Sequence, residues 1–138
     1  MSRHVAREHL FKMTFEYLFN KEKNEGTLNA YLLDASLSDE DREYIIGGYE
    51  GIIADFDGLM EIIAKFTEGY NIERVYKPDL AAMLVSTYEL KYMKGKIPTA
   101  VSINEAVDFA KRFSTEKSKS FVNGVLASIV KYLNTQEK

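Results

Sequence analysis

Arg3, Arg7 and Lys12 punctuate the first dozen residues against one acid, Glu8, with His4 and His9 among them. A second cationic group, Lys111, Arg112, Lys117 and Lys119, surrounds Glu116 near the other end of the chain. Each group has an aromatic residue close by in sequence, Phe15 after the first and Phe121 after the second. Cations that hold phosphates and rings that stack on unpaired bases are the means by which proteins grip single-stranded RNA. The net charge of -3 gives no whole-chain argument for a polyanionic partner, but two basic stretches meeting in space would create one positive face. The plainer reading of the same charges is a pair of solvated helix surfaces.

Catalytic chemistry finds less support. The two histidines are His4 and His9, and their spacing on a helix sets them about 140° apart, so they do not readily share a metal. There is no cysteine, hence no disulfide framework and no thiolate zinc site. No phosphate-loop glycine pattern, nucleophile elbow or E-x-x-H pair occurs. Gly47, Gly48 and Gly51 fall inside a helical pattern rather than after a strand, which points to close packing. Asp55 and Asp57 read as solvated surface, with nothing nearby to tune them for acid–base work. The expectation is a binding protein, not an enzyme, with no cofactor and no metal.

The elements that must carry these residues all read as helices. Apolar residues recur at helical spacing from Val5 to Phe19, and the Lys21 to Gly26 stretch turns the chain. A short second helix carries Leu28, Tyr31 and Leu32. Ser38 and the acids after it open a third helix over 39–54, because a hydroxyl cap and first-turn carboxylates satisfy its unpaired N–H groups. A fourth is expected over 57–67 and a break over 68–77. Pro78 and Asp79 start a fifth, which runs to about Met93 before Gly95 and Pro98 stop it. Ser102 and Glu105 have capping-box spacing at the head of a sixth, whose expected core face is Ile103, Ala106, Val107, Ala110 and Phe113. Val122, Val125, Leu126, Ile129 and Leu133 mark the last, where Gly124 again suggests a close helix approach. No stretch alternates as a strand does.

The 138 residues, 46% of them apolar, suffice for one compact domain, 1–138, and not for two ordinary ones. No apolar run reaches membrane-spanning length and the first residues do not form a signal peptide, so a cytoplasmic protein is expected. Residues 34–61 carry nine acids against Arg42 alone, which suits a basic partner or simply keeps the chain in solution.

Three strings in order carry a family resemblance. Near the start stands R-x-x-x-A-R, here Arg3, Ala6 and Arg7; in the middle Tyr70, Arg74 and Asp79 lead into T-Y-E-L at 87–90. Near the end V-S-I-N-E-A-V at 101–107 and Ala110-Lys111 precede F-V-N-G-V-L at 121–126. Together they resemble the NusB family of bacterial transcription antitermination factors, over about residues 3–133. The resemblance implies an all-α fold of two packed three-helix subdomains, a NusB-like helical bundle. It also implies pairing with ribosomal protein NusE, joint recognition of boxA RNA, and assembly with other Nus factors on RNA polymerase, notably in ribosomal RNA operons.

Placed on the helices, the motifs make Arg3, Arg7, Lys12 and Phe15 RNA-binding candidates on the first helix. Lys117, Ser118, Lys119 and Phe121 are the candidates at the start of the last, where the positive dipole end attracts phosphate. Phe15 and Phe121 can equally be core residues. Tyr70, Arg74 and Asp79 are the candidates for the NusE-facing surface, while Tyr88, Asn104, Glu105 and Asn123 read as polar contacts that specify the fold. The chain departs from the family in having fewer arginines on its first helix and Lys117 where members can carry an acid. On this reading Arg7→Ala removes about one phosphate contact and leaves the fold intact. The rival reading is a helical protein–protein adaptor without its own RNA role. The same module also occurs fused to RNA methyltransferases, for which this chain has no catalytic domain.

Overall fold

The computed structural model describes residues 2–67 and 71–136, and among these it contains helices and no strand. In chain order they are α1 Ser2–Asn20, α2 Glu25–Leu32, α3 Asp39–Ala54, α4 Phe56–Lys65, α5 Lys77–Tyr92, α6 Thr99–Phe113 and α7 Ser118–Gln136, with a 3-10 turn at Ile72–Arg74. Tyr70 lies outside the described residues.

Helices α1, α2 and α3 pack on one another, as do α5, α6 and α7, which gives two three-helix groups bridged by α4. The joint is α5, which touches α1, α3, α4, α6 and α7. Its sequence explains that position. Leu80, Ala81, Ala82, Met83, Leu84, Val85 and Leu90 are buried around most of its circumference, leaving little polar face to send to solvent. Small residues at Ala81, Ala82 and Ser86 let neighbours approach, and the groups contribute to one continuous core.

Two of the glycines bring helices together. A β-carbon on Gly48 would sit 2.6 Å from Leu10 Cδ2, and one on Gly51 would sit 2.5 Å from Tyr88 Cε1. The first contact seats α3 against α1 and the second seats it against α5. Gly47 and Gly124 have open space where a side chain would go, so close packing does not explain either.

Local signals set the helix starts with one correction. Ser38 accepts a hydrogen bond from Asp41 N at 3.1 Å and donates to Asp41 Oδ2 at 2.9 Å, so α3 begins where its cap stands. The expected capping box at Ser102 and Glu105 does not form. Pro98 already occupies the N-cap position, α6 begins at Thr99, and Ser102 is an interior residue whose hydroxyl meets that of Ser86 at 2.9 Å. The core face of α6 holds Ala106 and Ala110 as expected, with Ile103 and Val107 partly buried against it, and departs from the expected one at Phe113. Phe109 is its deeply buried ring, whereas Phe113 is 39% exposed.

Candidate nucleic-acid interface

The cations of α1 are largely neutralised within the fold. Arg7 is 3% exposed; its Nε donates to Glu89 Oε2 at 2.8 Å and its Nη1 to Glu105 Oε1 at 3.1 Å. Tyr44 donates its hydroxyl hydrogen to the same Glu89 oxygen, and His4 Nδ1 lies 2.7 Å from Glu105 Oε1. Burial works against the Arg7 charge, but Tyr44, Glu89 and the hydrogen bonds to Glu89 and Glu105 outweigh it and raise the group above its ordinary range. Burial in turn pushes the Tyr44 hydroxyl up, reinforced by Glu89. Arg3 pairs with Asp41 at 2.9 Å and lies 4.5 Å over the Tyr44 ring. Lys12 pairs with Glu8 at 3.2 Å, and Arg112 reaches the same carboxylate at 2.7 Å.

This knot joins residues from all three parts of the family-like pattern: Arg3 and Arg7 from α1, Glu89 from T-Y-E-L on α5, and Glu105 from I-N-E-A-V on α6. Arg7, Glu89 and Glu105, one from each part, are therefore partners, whereas Asn104 and Asn123 are exposed. A buried cation is tolerated when carboxylates and hydrogen bonds compensate for lost water, and here two carboxylates do so.

The other candidates meet at the opposite end of α6. Arg74, Asp79, Lys117, Ser118 and Phe121 line a cleft of about 1040 Å³, together with Tyr76, which is 60% exposed. Its walls are the 3-10 turn, the first turn of α5, the α6–α7 loop and the start of α7. Arg74 and Lys117 are exposed and have no acidic partner at ion-pair distance among the described residues, and the same holds for Lys119 just outside. Free cations beside half-buried Phe121 and exposed Tyr76 make a surface suited to phosphates and unstacked bases.

Two lining residues have interior work. Ser118 is 2% and Asp79 3% exposed, and the Ser118 hydroxyl donates to Asp79 Oδ2 at 2.9 Å. Burial raises the Asp79 carboxyl above its usual value, while the hydroxyls of Ser114 and Ser118 pull it back. Neither group presents its side chain at the surface.

Phe15 is half-buried against the core, with Phe19 edge-on to it at 5.0 Å and itself 58% exposed. Phe113 packs against Phe11 of α1, ring centres 5.2 Å apart, with Arg112 4.9 Å and Lys12 5.9 Å from its ring centre. Nothing in the spacing marks Tyr76 or Phe19 as exposed rings. Phe113 has core spacing but is the last residue of α6, where it stays 39% exposed, while Phe109 one turn earlier carries the buried ring. Tyr76 sits in the irregular 68–77 stretch, where no periodicity marks which side chains face outward.

Comparison with known proteins adds to this geometry. The family model described as the NusB family matches residues 4–131. The chain is 36% identical over 131 residues to the transcription antitermination protein NusB of Acetivibrio thermocellus, covering 95% of this chain and 90% of the relative. It is 40% identical over 130 residues to that of Agathobacter rectalis, covering 92% and 98%. Its structure resembles T. maritima NusB with a TM-score of 0.88 at 30% identity, over 99% of this chain and 96% of the other. At 23% identity, with a TM-score of 0.81 over 96% and 99%, it shares the fold of a chain in a crystal structure of antitermination factors NusB and NusE with double-stranded RNA.

Proposed function

The chain belongs to the NusB family, and on that premise we propose that it binds boxA RNA together with ribosomal protein NusE as a transcription antitermination factor. It then helps assemble the antitermination complex, with other Nus factors on RNA polymerase, notably in ribosomal RNA operons. It works by binding and carries out no catalysis. No helix among the described residues is long and apolar enough to cross a membrane.

The observation that carries the RNA assignment is the pairing of free cations with rings at the cleft. Arg74 and Lys117 stand beside Tyr76 and Phe121, whereas Arg3, Arg7 and Lys12 on α1 are engaged by Asp41, Glu89, Glu105 and Glu8. The RNA path accordingly centres on the α6–α7 loop, with Lys119 extending it along α7. Arg3 and Lys12, both partly exposed, flank the path rather than anchor it. Phe15 and its exposed neighbour Phe19 offer an apolar surface on α1, and Arg74, expected at the partner surface, falls instead with the cleft cations.

The test is titration of labelled boxA RNA with the protein alone and with NusE. Tighter binding in the presence of NusE supports the assignment. No binding in either case at low salt refutes it, and NusE binding without any RNA affinity would favour an adaptor.

A further inference from the structure

We propose that Asp79 is a positioning residue for the RNA surface: through Ser118 it fixes the α6–α7 loop and thereby aims Lys117 into the cleft. The inference rests on the RNA reading of that cleft. It assigns Asp79 a role other than contact with a partner.

The geometry is a hub around one hydroxyl. Ser118 Oγ is 2.9 Å from Asp79 Oδ2, 2.9 Å from Thr115 Oγ1 and 3.1 Å from Ser114 Oγ, and it accepts from Thr115 N at 3.2 Å. A hydroxyl has a single proton, and a carboxylate is the strongest acceptor in the group. Donating to Asp79 leaves the oxygen's lone pairs to accept from Thr115, so the carboxylate sets the polarity of the hub. The backbone closes the same turn, with Ser118 N donating to Thr115 O at 3.0 Å. Only Glu116 and Lys117 lie between the two pinned residues, and both line the cleft.

Asp79 is suited to this role and poorly suited to meeting a ligand. It lies in the first turn of α5, whose buried residues make it part of the central helix, so the loop is referenced to the most enclosed element of the fold. Its Oδ1 is buried and makes no hydrogen bond. A carboxylate kept inside with one oxygen unsatisfied costs stability. Holding a cation-bearing loop against an RNA surface is a return for that cost.

The experiment measures boxA RNA binding with NusE present, over a salt series, for Lys117→Ala, Asp79→Ala, Ser118→Ala, the double variant Asp79→Ala/Lys117→Ala and Asp79→Asn. Losing one phosphate contact on a single strand flattens the log–log salt slope by about 0.7, or about fivefold in affinity near 0.1 M salt. Lys117→Ala is expected to show that loss, Asp79→Ala and Ser118→Ala most of it, and the double variant no more than Lys117→Ala alone. Asp79→Asn keeps an acceptor oxygen for Ser118 and is expected to bind close to wild type. Independent, multiplying losses in the double variant, or unaltered binding by Asp79→Ala and Ser118→Ala, would overturn the proposal.

Amide hydrogen exchange at Thr115 reads the hub without RNA. Ser118→Ala leaves Asp79 and the α5 start intact and is expected to speed that exchange; unchanged protection counts against the hub. Wild-type protein that never binds RNA would defeat the functional reading itself and this proposal with it, whereas intact RNA binding with additive variants defeats this proposal alone.

Discussion

Replacing Arg7 with Ala removes the one cation at the centre of a buried network. The guanidinium is 4% exposed and Glu89 1%, so the variant leaves a carboxylate inside the protein with only the Tyr44 hydroxyl donating to its bound oxygen. The other Glu89 oxygen is already without a partner. Breaking a buried pair by deleting one member costs about 3–5 kcal/mol, because the remaining charge is uncompensated. Against a total stability of about 5–15 kcal/mol, that is a large fraction. With an unfolding entropy near 2.1 cal/mol/K per residue, it lowers the melting temperature by roughly 10–17 °C. Urea unfolding followed by circular dichroism measures the change, and adding Glu89→Gln in the Arg7→Ala background should recover part of it, since the amide carries no charge. The coupling between the two positions is the quantity of interest, and the double-mutant cycle isolates it. A cost below about 1 kcal/mol, with RNA binding weakened and its salt slope flattened by one contact, would refute the reasoning and return Arg7 to the RNA surface.

Three further outcomes are expected. Gly51→Ala puts a β-carbon 2.5 Å from Tyr88 Cε1 and should destabilise the protein by about 1–3 kcal/mol, read from the same unfolding curves. Gly124→Ala meets nothing within 4 Å on an exposed stretch of α7 and should instead stabilise by up to about 1 kcal/mol; a loss would show that something packs there. The Asp34 carboxyl, hydrogen-bonded by His9 and by the Ser36 hydroxyl and backbone, is held down to about 2 from 3.8. Its folded value is depressed, so the stabilisation is present above the ordinary value and lost as pH falls through about 2. Carboxyl carbon shifts across an acid titration check the midpoint, and one near 3.8 would show that those hydrogen bonds do not persist in solution.

Periodicity located the helices because most of them bury one stripe and expose another. It worked less well where the fold departs from that pattern. On α5 every residue from Asp79 to Thr87 is buried, so apolar spacing says that a helix exists without saying which side faces what. On α6 the Ser102 and Glu105 pair has capping-box spacing, but Pro98 fixes an earlier start, and both side chains become free for tertiary partners. Cap chemistry and tertiary pairing use the same residue types. Sequence spacing alone does not separate them.

The site was legible in a similarly uneven way, for an electrostatic reason. A sequence lists cations but not the carboxylates that will stand against them, and α1 illustrates the consequence. Arg3, Arg7 and Lys12 look like a basic strip until Asp41, Glu89, Glu105 and Glu8 are brought to them from α3, α5, α6 and α1 itself. Lys117 in the loop and Lys119 in the first turn of α7 have no ion-pair partner among the described residues, because their sequence neighbours are hydroxyls and one glutamate and the α5 acid, Asp79, is turned inward onto Ser118. The family-identifying motifs and the proposed binding surface are thus separated by burial. Carboxylates in the motifs engage the arginines to fix how α1, α5 and α6 dock, while Lys117 in the short loop after α6 has no ion-pair partner among the described residues and carries the proposed RNA contact. A substitution within the motifs should therefore act on RNA binding chiefly through stability, and one in the loop chiefly through salt-dependent affinity.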